Sequence, residues 1–141
     1  MKNLLLIFIA LFLFSCSSPI SNEKVSEKYE DYVDDGREIH PTIEFEEDFY
    51  DFGTINHGEV VSYTFSFKNA GNSPLIIKEI LAGCGCTQTK VSSRVLRPDE
   101  HGSVEVVFNS RGWFGSQYKA VTLVNNSITP RRTVTIKANV I

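Results

Sequence analysis

Two cysteines separated by one glycine, Cys84-Gly85-Cys86, are the residues whose type and spacing most plainly invite chemistry. Three readings fit them. In an oxidising compartment the sulfurs could close a small disulfide ring, because Gly85 lets the backbone bend enough to bring the Cα atoms within the permitted range of about 4.4 to 6.8 Å. Such a ring is expected to be strained and readily reduced. As thiolates the pair could instead bind copper(I) or zinc, but a closed zinc site wants two further ligands, and His40, His57 and His101 are scattered. In the third reading Gly83 to Cys86 form a tight strand-end loop whose thiols are merely buried, as free cysteines often are. A thioredoxin-like centre is disfavoured, since it uses C-x-x-C at a helix N-terminus.

A second constellation is Arg111, Trp113, Phe114 and Tyr118. In a loop after a strand, an exposed Trp beside Arg and other aromatics has the composition of a partner-binding hot spot, while a Trp113 packed into the core would simply cap the domain. The acidic group Glu44, Glu46, Glu47, Asp48 and Asp51 lacks the loop glycine and regular ligand positions of a calcium motif, so it reads as a solvated, charge-protected strand edge. The chain carries no Gly-rich phosphate loop, no G-x-S-x-G and no paired histidines at metal spacing. A non-enzymatic protein without catalytic residues, cofactor or dedicated metal is therefore expected, with thiol-redox or copper(I) handling through Cys84 and Cys86 as the alternative.

These groups must be positioned by a body that the rest of the chain defines. Of 141 residues, 42% are hydrophobic and 11% aromatic, enough for one ordinary globular core. Lys2 precedes an unbroken apolar run from Leu4 to Phe14, too short for a bilayer span of about 20 residues. Leu13-Phe14-Ser15-Cys16 resembles a lipobox, with a slightly bulky Phe14. That resemblance implies a signal peptide over 1–15, acylation of Cys16, and membrane attachment through lipid, at about 0.8 kcal/mol per buried CH₂.

Residues 16–41 then form an acidic tether. From Ser17 to Pro41 seven acidic residues face three basic ones, while from Thr42 onward there are ten of each sign. A neutral domain without a basic face does not fit nucleic acid. Within the tether, Val25, Tyr29, Tyr32 and Val33 fall at helical spacing and could make a short amphipathic turn.

The domain over 42–141 reads as all-β. Val61, Tyr63, Phe65 and Phe67 alternate with Ser62, Thr64, Ser66 and Lys68, the pattern of a half-buried strand. Turn formers follow from Asn69 to Pro74, where Gly71 and Asn72 can take positive φ. A strand from about Leu75 to Leu81 is apolar on both faces, as expected inside a sandwich. Arg97 to Gly102 predicts another turn, and Ser103 to Asn109 alternates again. Lys119–Val124 and Thr133–Val140, separated by Asn125, Asn126 and Pro130, predict a hairpin. Ile43, Phe45, Phe49 and Phe52 predict a short opening strand with a bend at Gly53. About seven strands with frequent turns predict an immunoglobulin-like β-sandwich, with a small barrel as runner-up. Trp113 follows both domain cysteines, so the antibody-type Cys, Trp, Cys spacing is absent and the core must rest on aromatics.

The segments Phe52-Gly53-Thr54-Ile55, His57-Gly58-Glu59, Phe65 to Gly71, Pro74-Leu75 and Gly83-Cys84-Gly85-Cys86-Thr87 resemble the bacterial DUF1573 family. The resemblance continues through Leu96-Arg97-Pro98, Gly102, Gly112, Phe114, Gly115 and Val124-Asn125-Asn126, covering nearly everything from Phe45 to Val140. It implies a sandwich akin to ciliary ASH and HYDIN and major-sperm-protein-type modules, hence a binding or scaffolding surface. One departure is that Asp99-Glu100-His101 stand between Pro98 and Gly102, a longer approach to the glycine than the usual Pro-Gly. The expected setting is the bacterial cell envelope, at the outer membrane facing the periplasm, with an envelope protein as partner.

Overall fold

In a computed structural model, residues 39–141 are described. The expected leader, the acylated Cys16 and the turn at Val25 to Val33 lie outside the described residues. Within them the alternating segments become strands: β1 (Ile43–Phe45), β2 (Phe49–Ile55), β3 (Val60–Asn69), β4 (Leu75–Ala82), β5 (Thr87–Val91), β6 (Val95–Leu96), β7 (His101–Asn109), β8 (Gly115–Asn125) and β9 (Arg131–Val140). One sheet runs β1-β3-β7-β5 and the other β2-β9-β8-β4-β6. All pairings are antiparallel except β2 with β9.

The period-2 pattern delivers one face of each sheet to a shared core. Phe65 and Phe67 of β3, Val104, Val106 and Phe108 of β7, Val121 and Leu123 of β8, and Val134, Ile136, Ala138 and Val140 of β9 are buried together. Each full burial of such a large apolar side chain is worth about 1.5 to 3 kcal/mol. At one margin Tyr50 of β2 stacks on Tyr63 of β3, ring centroids 3.6 Å apart, so the two sheets are joined there by aromatics.

Nine strands stand where about seven were expected. The single opening strand expected is two, β1 and β2, in different sheets, and β5 and β6 are unforeseen because they are short and carry little alternation: Thr87-Gln88-Thr89-Lys90-Val91 has one apolar residue, and β6 has two residues in all. The expected bend at Gly53 is instead a register shift inside β2, between Asp51 and Thr54, with Gly53 at φ 70°. On β4 only Leu75 and Ile77 are buried, and Ile76 and Leu81 face outward, because a two-layer sandwich covers one face of each sheet.

Two glycines serve differently from expectation. Gly71 does not take positive φ; a Cβ there would lie 2.4 Å from the carbonyl oxygen of His40 and 2.5 Å from the amide of Thr42, so it permits backbone to pass against backbone. Gly102 lies inside β7 rather than at the turn, where a Cβ would press on the Phe67 ring at 2.8 Å and on Leu96 at 2.9 Å. The left-handed position of that turn is taken by Asp99, at φ 61°. Asp is one of the few non-glycine residues that tolerate it.

Candidate functional site

Strand register brings several distant segments to one end of the sandwich. The ends of β2 and β9, the starts of β3 and β8, the β4–β5 loop and the β7–β8 loop all lie there, since Val60 pairs with Asn109, Thr87 with Phe108, Gly115 with Val140 and Ile55 with Val140. The chain enters at the other end, where Thr42 accepts from the amide of Ala70 and His40 from that of Asn72.

The β4–β5 loop carries the two cysteines, and their sulfurs are bonded to each other, with Cα atoms 5.3 Å apart. Both are half-buried, and Cys86 packs against the core. The loop is tied down by Thr87 donating its amide to the Cys84 carbonyl and Asn109 donating to that of Cys86. The buried Thr87 hydroxyl lies 3.4 Å from Cys84 Sγ and 3.8 Å from Cys86 Sγ. Two clefts flank the bridge. Cys86 lines one of about 550 Å³, with Val60, Gln88, Asn109 and Arg111. Cys84 lines the other, of about 320 Å³, with Thr87, Trp113, Tyr118 and Lys119.

The β7–β8 loop is held from beneath. Ser110 is fully buried, donates its hydroxyl to the Asn56 carbonyl at 2.9 Å and accepts the amide of Trp113 at 3.0 Å. Gly112, at φ 82°, donates its amide to His57 Nε2 at 2.9 Å. Trp113 is half-buried against the core, and the Lys119 ammonium sits 3.4 Å from its ring centroid. Burial lowers the pKa of Lys119, whose Nζ also donates to Gln117 Oε1. Trp113 is thus a cap on the core, while Phe114 is 67% and Tyr118 60% exposed. Arg111 is exposed beside the Cys86 cleft.

Of the residues singled out from sequence, Cys84, Cys86, Arg111, Trp113, Phe114 and Tyr118 therefore share one end. His57, Thr87, Ser110 and Lys119 were not singled out for a role. His57 and Thr87 fall within motif segments; the His57–Gly112 contact spans 55 residues and nothing local announces it, whereas Thr87 touches Cys84 and Cys86 inside its own segment. Other motif residues serve the fold. Fully buried Asn69 donates to the carbonyls of Ser73 and Leu96 and accepts from the amides of Thr42 and Gly71. Asn125 and Asn126 close the β8–β9 loop and fasten it to Ile76 and Pro74 of the β4 entrance. In the acidic group, Glu44 pairs with Lys68, Asp51 with Lys137, and Glu47 accepts from the Tyr63 hydroxyl.

Among the described residues no group of three or more His, Cys, Asp or Glu side chains is gathered for an ion. Every buried side-chain nitrogen and oxygen described has a hydrogen-bond partner, so no orphaned polar atom marks a buried ligand site.

Two facing sheets around an aromatic and aliphatic core define an immunoglobulin-like, PapD-like β-sandwich. The chain belongs to the DUF1573 family of proteins of unknown function, which it matches over residues 43–140. Among solved structures it is similar to a protein of unknown function from Porphyromonas gingivalis W83, at 17% identity and a TM-score of 0.63 over 72% of this chain and 47% of that one. The chain thus spans about half of that protein's length. It is similar also to the Vibrio cholerae VesB protease, at 17% identity and a TM-score of 0.55 over 71% of this chain but 32% of the protease. For the ASH / PapD-like domain 7 of human CEP192 the identity is 13% and the TM-score 0.50, over 72% of this chain and 87% of that domain. These likenesses concern the fold. No curated protein sequence matches the chain.

Proposed function

We propose that this protein is a lipid-anchored, non-catalytic binding domain of the bacterial cell envelope that docks an envelope protein partner through Arg111, Phe114 and Tyr118, around the Trp113 cap. The observation that carries this reading is the pairing of exposure with rigidity. Phe114 of the β7–β8 loop and Tyr118 of β8 present large apolar faces to solvent, yet the loop is fixed by Ser110, His57 and the Trp113–Lys119 contact. Aromatic and arginine side chains on a preorganised frame lose little entropy on binding, which is what concentrates affinity at hot spots.

His40 and Thr42 lie beside Asn69 to Asn72, and β3, ten residues long, spans roughly 30 Å from there to the aromatic end. A lipid on Cys16 would hold the protein at a membrane, with the outer membrane facing the periplasm as the setting. The test is a Phe114→Ala, Tyr118→Ala variant produced in cells. It should keep the thermal unfolding profile of the parent and lose at least tenfold in partner capture by chemical crosslinking, while intact-mass analysis shows an acylated N-terminal Cys16. Undiminished capture, or a chain retaining residues 1–15 without acyl groups, would overturn the respective half of the proposal.

A further inference from the structure

The bridge between Cys84 and Cys86 stands as the partition between two clefts of different character. On the Cys86 side lies the larger cleft, open beside the exposed guanidinium of Arg111. The Cys84 side holds the Lys119 ammonium over Trp113, together with the Thr87 hydroxyl, which is nearer to Cys84 Sγ than to Cys86 Sγ. A bridge used only to brace the fold gains most by closing a long loop and sitting deep in the core; this one joins residues two apart and borders solvent-filled clefts on both flanks.

We infer that Cys84–Cys86 is a thiol–disulfide exchange site, in which a thiolate entering the Arg111 cleft attacks Cys86 Sγ and Cys84 leaves as the thiolate. Attack on a disulfide sulfur proceeds from the side away from the departing sulfur, and a leaving sulfur departs faster when its thiolate is stabilised. Cys86 borders the cleft whose cation, Arg111, can draw in an anion. The departing electron pair goes to Cys84 Sγ, where the Thr87 hydroxyl can donate to it and Lys119 supplies positive charge within the same cleft. That Lys119 is partly desolvated strengthens its field at short range. The first step forms one S–S bond, between the incoming sulfur and Cys86, and breaks the Cys84–Cys86 bond. A second thiolate then attacks the incoming sulfur, releasing Cys86 as thiolate. The sum is two external thiols oxidised to one disulfide and one protein disulfide reduced to two thiols, so the co-reactant class is a thiol, either a small molecule or a cysteine in a peptide.

The exchange site shares Arg111 with the proposed docking surface but does not rest on docking, and it is tested on the whole chain with reduced glutathione in one arm and a cysteine-containing peptide in the other. Each reaction is quenched with a fast alkylating agent and mapped by mass spectrometry. The expected trapped species carries the thiol on Cys86 and the alkyl group on Cys84, in one arm or both, and a reaction with the peptide alone assigns the natural thiol to a protein. Thr87→Val and Lys119→Met should each slow bridge opening at least threefold. In the Cys86→Ser variant, the pH profile of Cys84 alkylation should have its midpoint below the ordinary thiol value of about 8.5 and move upward on adding Lys119→Met. A bridge inert to both thiols, an adduct on Cys84 with Cys86 alkylated, or rates and pH profile unchanged in both variants would overturn it.

Discussion

The imidazole of His57 lies flat against the ring of Phe114, centroids 4.6 Å apart and planes 1° from parallel, while its Nε2 accepts the amide of Gly112. One side chain from the β2–β3 turn therefore fixes both the backbone and the most exposed aromatic of the β7–β8 loop. Accepting at Nε2 places the ring proton of neutral His57 on Nδ1. The proposed docking surface is thus assembled from two segments far apart in sequence.

Replacing His57 by Ala removes a stacked ring pair and a hydrogen bond near the surface, together worth about 1 kcal/mol. For a domain of this size the unfolding temperature should fall by about 4 to 8 °C. Hydrogen exchange should rise at the Gly112 amide, and partner capture should weaken because the loop loses its preorganisation. Unchanged exchange at Gly112 would show that the loop is held without His57.

Asn69 tests the fold rather than the surface. Its fully buried amide bonds four backbone groups from three segments, so Asn69→Ala strands the carbonyl of Leu96 and loosens the Thr42 and Gly71 amides. The cost should be about 3 kcal/mol in chemical denaturation. A loss below about 1 kcal/mol would mean that water or neighbouring groups satisfy these partners.

Donation of the Tyr63 hydroxyl to Glu47 chiefly raises the phenol from its ordinary 10.0 to about 12, with burial and the nearby negative charge acting the same way. A group whose folded value is raised stabilises fully below its unfolded value and loses that contribution as pH climbs through the folded one. The contribution of Tyr63 should therefore persist to about pH 10 and vanish towards pH 12. Phenolate absorbance should show one late-titrating tyrosine, and Glu47→Gln should bring it back towards 10.

Removing the bridge should leave the sandwich standing. A loop this short constrains the unfolded chain by only about 1 to 2 kcal/mol, so Cys84→Ser with Cys86→Ser should fold, with a modest drop in melting temperature. A collapse of the circular dichroism spectrum in that variant would make the bridge structural.

Much of this architecture is legible in the chain. Strong alternation at Val61–Lys68, Ser103–Asn109 and Thr133–Val140 marks three strands whose inward residues are the core. What alternation cannot show is a strand such as β5, whose single edge pairing with β7 is set by its partner. The roles of Gly71 and Gly102 are equally hidden, because each answers to an approach by a distant segment and not to local turn geometry. Of the candidate site, the cysteines and aromatics are visible as residue types. The supports from His57 and Ser110 arise only once the sheets bring distant segments together, while those from Thr87 and Lys119 are made within their own stretches of chain.

The functional reading stands or falls with the proposed docking of a partner on the Phe114 end of the sandwich. A photo-crosslinking amino acid placed at Phe114, and at the equally exposed Ile128 on the opposite end as reference, tests it directly in living cells. A discrete protein adduct, identifiable by mass spectrometry, is expected from position 114 and none of the same mass from position 128. The same adduct from both positions, or an adduct from 128 alone, would contradict it.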